Sequence, residues 1–234
     1  MKTCLLCHKP YQMEVSWRAI LTLSPEQQKI CHECHRRLTI IEGKLCSICG
    51  RPLQGVSSTT TLCYDCVRWE NQREWRDVLQ RNRSVYMYND YMKETLNLFK
   101  FRGDYAVVHT FKSLFQQCFK EHFQDNYMIV PIPLSKQRLY ERGFNQADAI
   151  AHLLDLSLSH PLSRKHVKKQ SKKSRYARIH SDNMFIFNET VLVKHQQILL
   201  IDDVYTTGTT VRHAAKALLQ AGAKSASSLT LVRG

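Results

Sequence analysis

Apolar and polar positions alternate with two different periods along this chain, and the contrast locates its central stretch. Ile198 to Ile201 is a run of four branched apolar residues, the pattern of a buried central strand in a parallel sheet. Asp202 and Asp203 follow, then the hydroxyl-rich Val204-Tyr205-Thr206-Thr207-Gly208-Thr209-Thr210. The period then changes: Val211, Ala214, Ala215, Leu218 and Leu219 fall on one face of a helix, which Gly222 caps before a last strand over 225–232.

Upstream, 84–88 alternates like a first strand. Asn89-Asp90 signals a helix start, and Met92, Leu96 and Phe99 mark its apolar face. Val107, Val108, Phe111, Leu114, Phe115, Cys118 and Phe119 form a helical core stripe. Residues 127–130 read as a strand ended by Pro131-Ile132-Pro133. Residues 135–145 read as a cationic loop with a hinge at Gly143, and 146–156 as a helix. Residues 184–187 and 191–193 are short strand-like runs. Strands alternating with helices predict an α/β fold.

A strand that ends at the carboxyl edge of such a sheet delivers its next residues into the ligand crevice. A turn entering a helix offers backbone N–H groups and the positive end of the dipole to a phosphate. Thr206, Thr207, Thr209 and Thr210 add hydroxyl donors there, and Gly208 admits close approach. Two adjacent acids would repel that phosphate, so Asp202 and Asp203 suit hydroxyl donors such as a ribose diol. The bland alternative is a capped helix after an acidic turn, but a cap needs one Thr and no acid pair.

The first 70 residues follow neither period. Eight of the nine cysteines lie there, as Cys4/Cys7, Cys31/Cys34, Cys46/Cys49 and Cys63/Cys66. Each CxxC aims two thiolates at one ion, and two knuckles complete a tetrahedral site, so four pairs predict two structural Zn²⁺ ions. Disulfides and redox pairs are the competing reading, as is one metal with some pairs empty. Sequential pairing gives tandem zinc ribbons and interleaved pairing a cross-brace. The shorter loops of the sequential arrangement close at lower entropic cost. So few large apolar positions need the metal to fold. The expected division is a zinc-binding domain at 1–70, a polar connector at 71–83 flanked by Trp69 and containing Trp75, and an α/β domain at 84–234.

Charge adds a candidate partner. The net charge is +14 and the pI near 9.5, which points to a polyanion. The densest block, 164–178, carries Arg164, Lys165, Lys168, Lys169, Lys172, Lys173, Arg175 and Arg178 without an acid, and Tyr176 for stacking. Lys100 and Arg102, beside aromatics at a helix end, are further nucleic-acid candidates, and Lys136, Arg138 and Arg142 suit a pyrophosphate. A solvated basic loop is the alternative for 135–145 and 164–178, and an ordinary helix end with its cations and Gly103 stop for Lys100 and Arg102. No apolar run approaches the about 20 residues of a membrane span. Lys9, Glu14 and Arg18 interrupt any signal-peptide core, so the expected location is cytoplasmic.

The run IDDVYTTGTT resembles the 5-phosphoribosyl-1-pyrophosphate (PRPP) motif of type I phosphoribosyltransferases. The resemblance assigns Asp202 and Asp203 to the ribose hydroxyls and catalysis, 204–210 to PRPP binding, and Mg²⁺ to the pyrophosphate. With the four CxxC pairs, LFKFRGDY (98–105), VPIPL (130–134), RGFNQ (142–146) and the basic loop around Gln170, the whole chain resembles the ComF family of natural transformation. The family's Arg-x-x-Asn-type pattern after the basic loop is broken here by Arg178-Ile179-His180-Ser181. The resemblance implies a double zinc ribbon-like domain before a type I phosphoribosyltransferase-like domain with a mostly parallel sheet and flanking helices. It also implies a role in DNA uptake on single-stranded DNA, beside a ComFA-like helicase and a recombination mediator. An active phosphoribosyltransferase acting on a nucleobase is the rival reading.

Overall fold

The computed structural model describes residues 1–12, 29–53, 55, 59–101, 105–123, 126–165 and 184–234. Arg102, Lys168, Lys169, Lys172, Lys173, Arg175, Tyr176 and Arg178 lie outside the described residues.

Two short strands, β1 (Lys2–Thr3) and β2 (Pro10–Tyr11), pair antiparallel around the first CxxC knuckle. Helices α1 (His32–Arg37) and α2 (Tyr64–Glu70) each begin on the first cysteine of the second and fourth pairs. The main sheet has four strands among the described residues: β3 (Asn82–Met87), β4 (Tyr127–Pro131), β7 (Gln197–Tyr205) and β8 (Ser225–Arg233), in the order β3-β8-β7-β4. All three pairings are parallel. Between them lie α3 (Asp90–Phe101), α4 (Lys112–His122) and α5 (Lys136–Arg142). Helices α6 (Gln146–Ala151) and α7 (Thr209–Gln220) complete the layers. A small antiparallel pair, β5 (Leu162–Arg164) and β6 (Phe185–Phe187), stands apart from the sheet.

Side chains of a strand alternate between faces, and the branched run uses both. Leu199 and Ile201 enter a core with Met92, Phe99, Phe111, Phe115 and Ile129. Ile198 and Leu200 enter another with Val130, Val211, Ala214, Ala215 and Leu218. Such a run therefore needs cover on both faces, and α3 and α4 supply one layer while α7 supplies the other.

Each cysteine cluster joins one of these cores. Cys4, Leu6, Ile30, Cys34 and Leu38 pack with Val85, Tyr86 and Met92. Chain after α1 also extends the sheet: Ile40 bridges Tyr86 antiparallel, and Ile41 and Met87 donate backbone hydrogen bonds to Val85 and Thr39 respectively. Cys46, Cys49, Cys63 and Cys66 pack with Trp69, Trp75, Tyr205 and α7. Asn82, fully buried, donates from its amide side chain to the Cys49 carbonyl at 3.1 Å. Gly50 turns there with φ +67°, and a Cβ would stand 2.9 Å from the Asn82 carbonyl, so the left-handed glycine expected of a knuckle also permits this close approach.

Several local readings change. Residues 136–142 form a helix rather than a loop, because the Ser135 side chain accepts from the Arg138 N–H and caps it. Gly143 is not a hinge but the left-handed closing residue of that helix, with φ 76°. Residues 191–193 form no strand. The stripe from 105 begins as a 3-10 turn over Tyr105–Phe111 before α4. Residues 152–154 likewise end the α6 segment in a 3-10 turn. Trp69 and Trp75 are buried, with ring centroids 5.2 Å apart.

Candidate functional site

Strand β7 outruns its neighbour. Pro131 of β4 pairs with Ile201, and the chain leaves the sheet after the Ile132 N–H donates to the Ile201 carbonyl. Asp202, Val204 and Tyr205 remain paired on the β8 side, with Thr230, Val232 and Arg233. The acids therefore sit within an extended strand, later than the apolar run implies, and have no β4 partner beside them. Such a place, at the carboxyl edge of a parallel sheet, is where α/β folds bind ligands.

The two acids have different surroundings. Asp203 forms an ion pair with Lys100, both side chains being more than four-fifths covered. The sequence assigned Lys100 to nucleic acid, and the fold brings it to the acid pair. Asp202 accepts from the Asp203 N–H at 2.9 Å. Burial, with the neighbouring Asp203 charge, raises the Asp202 carboxyl well above the usual carboxylate range.

That shift fixes a sign. For a carboxyl raised in the fold, stability is fully present below the ordinary carboxylate pKa and is lost as pH rises through the raised value. Ionised Asp202 thus costs stability at neutral pH. Asp202→Asn keeps an oxygen acceptor and removes that charge, so it should raise Tm at pH 7, by about 2–4 °C per kcal/mol recovered. The gain should vanish near pH 4. A Tm unchanged or lower at pH 7 would contradict the assignment.

Cations ring the acids. Arg142 lies in the field of Asp203 and Asp202, which partly offset the downward pull of burial on its guanidinium. Burial and Arg138 pull Arg164 down, while Asp202 supports its charge. Arg142 also donates to Gln146 Oε1 at 2.7 Å, fixing α5 against α6. Phe144 meets Phe99 at a tilt and Tyr105 edge-on, each at 5.4 Å, which packs the RGFN segment onto α3. Lys136 lies on the first turn of α5. Arg138, Arg142 and Arg164 thus share one electrostatic neighbourhood with the acids, whereas Arg102 and residues 166–183 lie outside the described residues.

The loop after the acids is tightly held. Gly208 has φ +79°, and a Cβ there would collide with the Tyr205 hydroxyl. Thr207 and Thr209 share a hydroxyl hydrogen bond at 2.9 Å. Thr206 is exposed, and Thr207, Thr209 and Thr210 are half-buried. Trp69 Nε1 donates to the Thr207 carbonyl at 2.9 Å, and Arg233 donates to the Tyr205 and Thr206 carbonyls at 3.1 and 3.0 Å. Sequence periodicity missed these supports. Arg212, in an apolar helical stripe, is fully buried, ion-paired to Glu70 at 3.1 Å and stacked over Trp69. Two tryptophans in a polar segment were the available signal, since tryptophan is highly buried on average.

The cysteines group as sequential pairing predicts: Cys4, Cys7, Cys31 and Cys34 in one cluster, Cys46, Cys49, Cys63 and Cys66 in another, with sulfurs within 4.8 Å of one another. All are free thiols. A tetrahedron with ~2.3 Å Zn–S bonds sets its sulfurs about 3.8 Å apart. Cys7 and Cys31 stand at 3.8 Å, and Cys49 and Cys63 at 3.5 Å. Backbone N–H groups of Cys31 and Cys63 point across to Cys4 and Cys46 Sγ, each at 3.3 Å, tying the two knuckles of each cluster together. Burial pushes the Cys4 thiol up, but amide N–H groups of Cys7, Cys31 and Leu6 bring it down to about 7. Both donor sets fit Zn²⁺, with a structural role.

A family model described as a double zinc ribbon domain matches residues 2–67, and one described as a phosphoribosyl transferase domain matches residues 106–234. Competence protein ComFC of Bacillus subtilis (strain 168) is 45% identical over 232 residues, covering 98% of this chain and 94% of its own length. The chain belongs to the ComFC family. Competence protein ComFC of Streptococcus pneumoniae (strain ATCC BAA-255 / R6) is 30% identical over 98% of this chain and 99% of its own. Competence protein F of Haemophilus influenzae is 23% identical over 82% of this chain and 85% of its own. A solved hypoxanthine phosphoribosyltransferase from Staphylococcus aureus overlaps 54% of this chain and 62% of its own, at 16% identity and a TM-score of 0.36, an overlap too slight to weigh. In this chain a double zinc ribbon thus precedes a phosphoribosyltransferase domain. No helix among the described residues is long and apolar enough to cross a membrane.

Proposed function

We propose that this chain is a DNA-handling competence protein that binds PRPP, or a related phosphoribosyl compound, in the crevice of β7. The carrying observation is the acid pair at the open edge of a central strand, with a hydroxyl-rich turn beyond it and cations around it. In this reading Asp202 and Asp203 accept from the ribose hydroxyls. The segment 206–210, entering α7, receives the 5′-phosphate through N–H and hydroxyl donors. Lys136, Arg138 and Arg142 take the pyrophosphate. Mg²⁺ would neutralise charge on the pyrophosphate.

Support for DNA comes from the charge of +14, the acid-free run holding Lys168, Lys169, Lys172, Lys173, Arg175, Tyr176 and Arg178, and the ComFC relatives. Single-stranded DNA in the cytoplasm is the substrate of this reading, with a ComFA-like helicase and a recombination mediator as partners. An oligonucleotide titration on the full chain tests it. Affinity should fall with salt by about 0.7 log units per log unit for each phosphate contacted. Neutralising Lys168, Lys169, Lys172 and Lys173 together should flatten that slope by up to about three units. No binding at moderate salt, or a slope unmoved by the quadruple change, would refute DNA handling. The rival, transfer of phosphoribose to a nucleobase, has the PRPP motif in its favour. It predicts PRPP-dependent release of pyrophosphate with one added base.

A further inference from the structure

Cys49 and the phosphate-type loop lie far apart in sequence, and one buried side chain touches both. Arg233 is 1% exposed. Its Nη2 donates to Cys49 Sγ at 3.5 Å, and its Nη1 donates to the Tyr205 and Thr206 carbonyls at 3.1 and 3.0 Å. Its guanidinium also lies over the Tyr205 ring, 5.0 Å from the centroid. A second bridge runs alongside: Trp69, three residues beyond Cys66 on α2, donates to the Thr207 carbonyl at 2.9 Å. Three successive carbonyls, of Tyr205, Thr206 and Thr207, are thus oriented by groups from the second cysteine cluster or bonded to it.

Both bridges matter to geometry. Fixing a peptide's carbonyl fixes the N–H of the same peptide, and a phosphate cradle works through the directions of those N–H groups. A buried guanidinium needs a counter-charge. Four thiolates around one divalent ion leave a net negative cluster, which is such a counter-charge. With the knuckle collapsed, the Arg233 fork loses a partner and Trp69 loses the helix that positions it.

We propose that Arg233 and Trp69 are positioning residues that couple the Cys46/Cys49/Cys63/Cys66 zinc site to the loop 205–209. Zinc at that site sets the loop in its ligand-ready shape, and a ligand in the loop tightens the hold on that zinc. Reciprocity is a thermodynamic requirement of such coupling. The ligand arm rests on the phosphoribosyl reading above, but the loop arm does not.

The test uses the full chain loaded with zinc. Arg233→Met keeps an unbranched apolar stem and removes the guanidinium fork; Trp69→Phe keeps an aromatic ring and removes the indole N–H. Both variants should retain two zinc ions per chain. Hydrogen exchange at the amides of 205–209 should rise at least tenfold in each, with exchange in β4 and the β3–β8 pairing unchanged. Release of one of the two zinc ions to a chromogenic chelator should quicken in Arg233→Met. Ribose 5-phosphate should slow that release in the wild type and leave it unaltered in the variant. Unchanged exchange at 205–209 in both variants overturns the coupling. If exchange rises as expected but ribose 5-phosphate neither binds nor slows zinc release in the wild type, the coupling stands and the phosphoribosyl reading fails. Should Arg233→Met not fold, Trp69→Phe alone decides, since it removes the indole N–H and part of the ring but no charge.

Discussion

Cys66→Ser is expected to unfold far more than a small ribbon. Cys66 is 1% exposed and sits on α2 one helical turn from Trp69. Its cluster shares a continuous core with Trp75, Tyr205 and the buried face of α7. Structural zinc in finger-type sites contributes about 10–16 kcal/mol of binding free energy, and a domain of ordinary stability holds only about 5–15 kcal/mol in all. Losing even ~5 kcal/mol of net stability would lower Tm by about 10–20 °C in a chain of this size. The zinc count should fall from two per chain to one, and melting followed by α/β circular dichroism should move with it. Trp69 and Trp75 fluorescence should report the same transition, because both rings lie between the knuckle and α7. An independent ribbon would instead lose its zinc while the rest of the chain melted at the wild-type temperature. That outcome would contradict the shared core.

The central strand, the helix after it, the alternation of layers and the sequential pairing of cysteines were all legible in the sequence, because each depends on local period or spacing. The 198–201 run suits a strand covered on both faces, and the structure splits it between two cores. The supports of the site were not legible. Lys100 reads as a helix-end cation, and its pairing with Asp203 depends on how α3 crosses the sheet edge. Arg212 and Arg233 break the apolar patterns they sit in, and periodicity treats them as exceptions rather than as buried partners of Glu70, Trp69, Tyr205 and Cys49. The helix at 136–142 was hidden by its cations, though Ser135 three residues before Arg138 is a usable capping signal. The extra length of β7 through Asp202 and Asp203 has no local signature either. Acids are poor strand formers, and only the register with Thr230 and Val232 holds them extended.

Asp203→Asn should have the second large effect, and its sign on stability should oppose that of Asp202→Asn. Asp203 is the ion-pair partner of Lys100, whose side chain is 18% exposed. Removing one member of a well-covered pair leaves the other charge uncompensated, so Tm should fall where Asp202→Asn raises it. Binding should fall too. A hydrogen bond to a charged group is worth about 1.5–3 kcal/mol. A ribose diol held by two of them would lose about 3–6 kcal/mol with the carboxylate, which is roughly 10²–10⁴ in affinity. Isothermal titration with PRPP and Mg²⁺ measures that loss, and thermal melting measures the stability change on the same samples. The double variant Lys100→Met with Asp203→Asn separates the two effects. Stability should return toward the wild-type value, because no unpaired charge remains, whereas PRPP affinity should stay low. If the double variant recovers binding as well as stability, Asp203 serves only to hold Lys100, and the ribose hydroxyls must be bound by Asp202 alone.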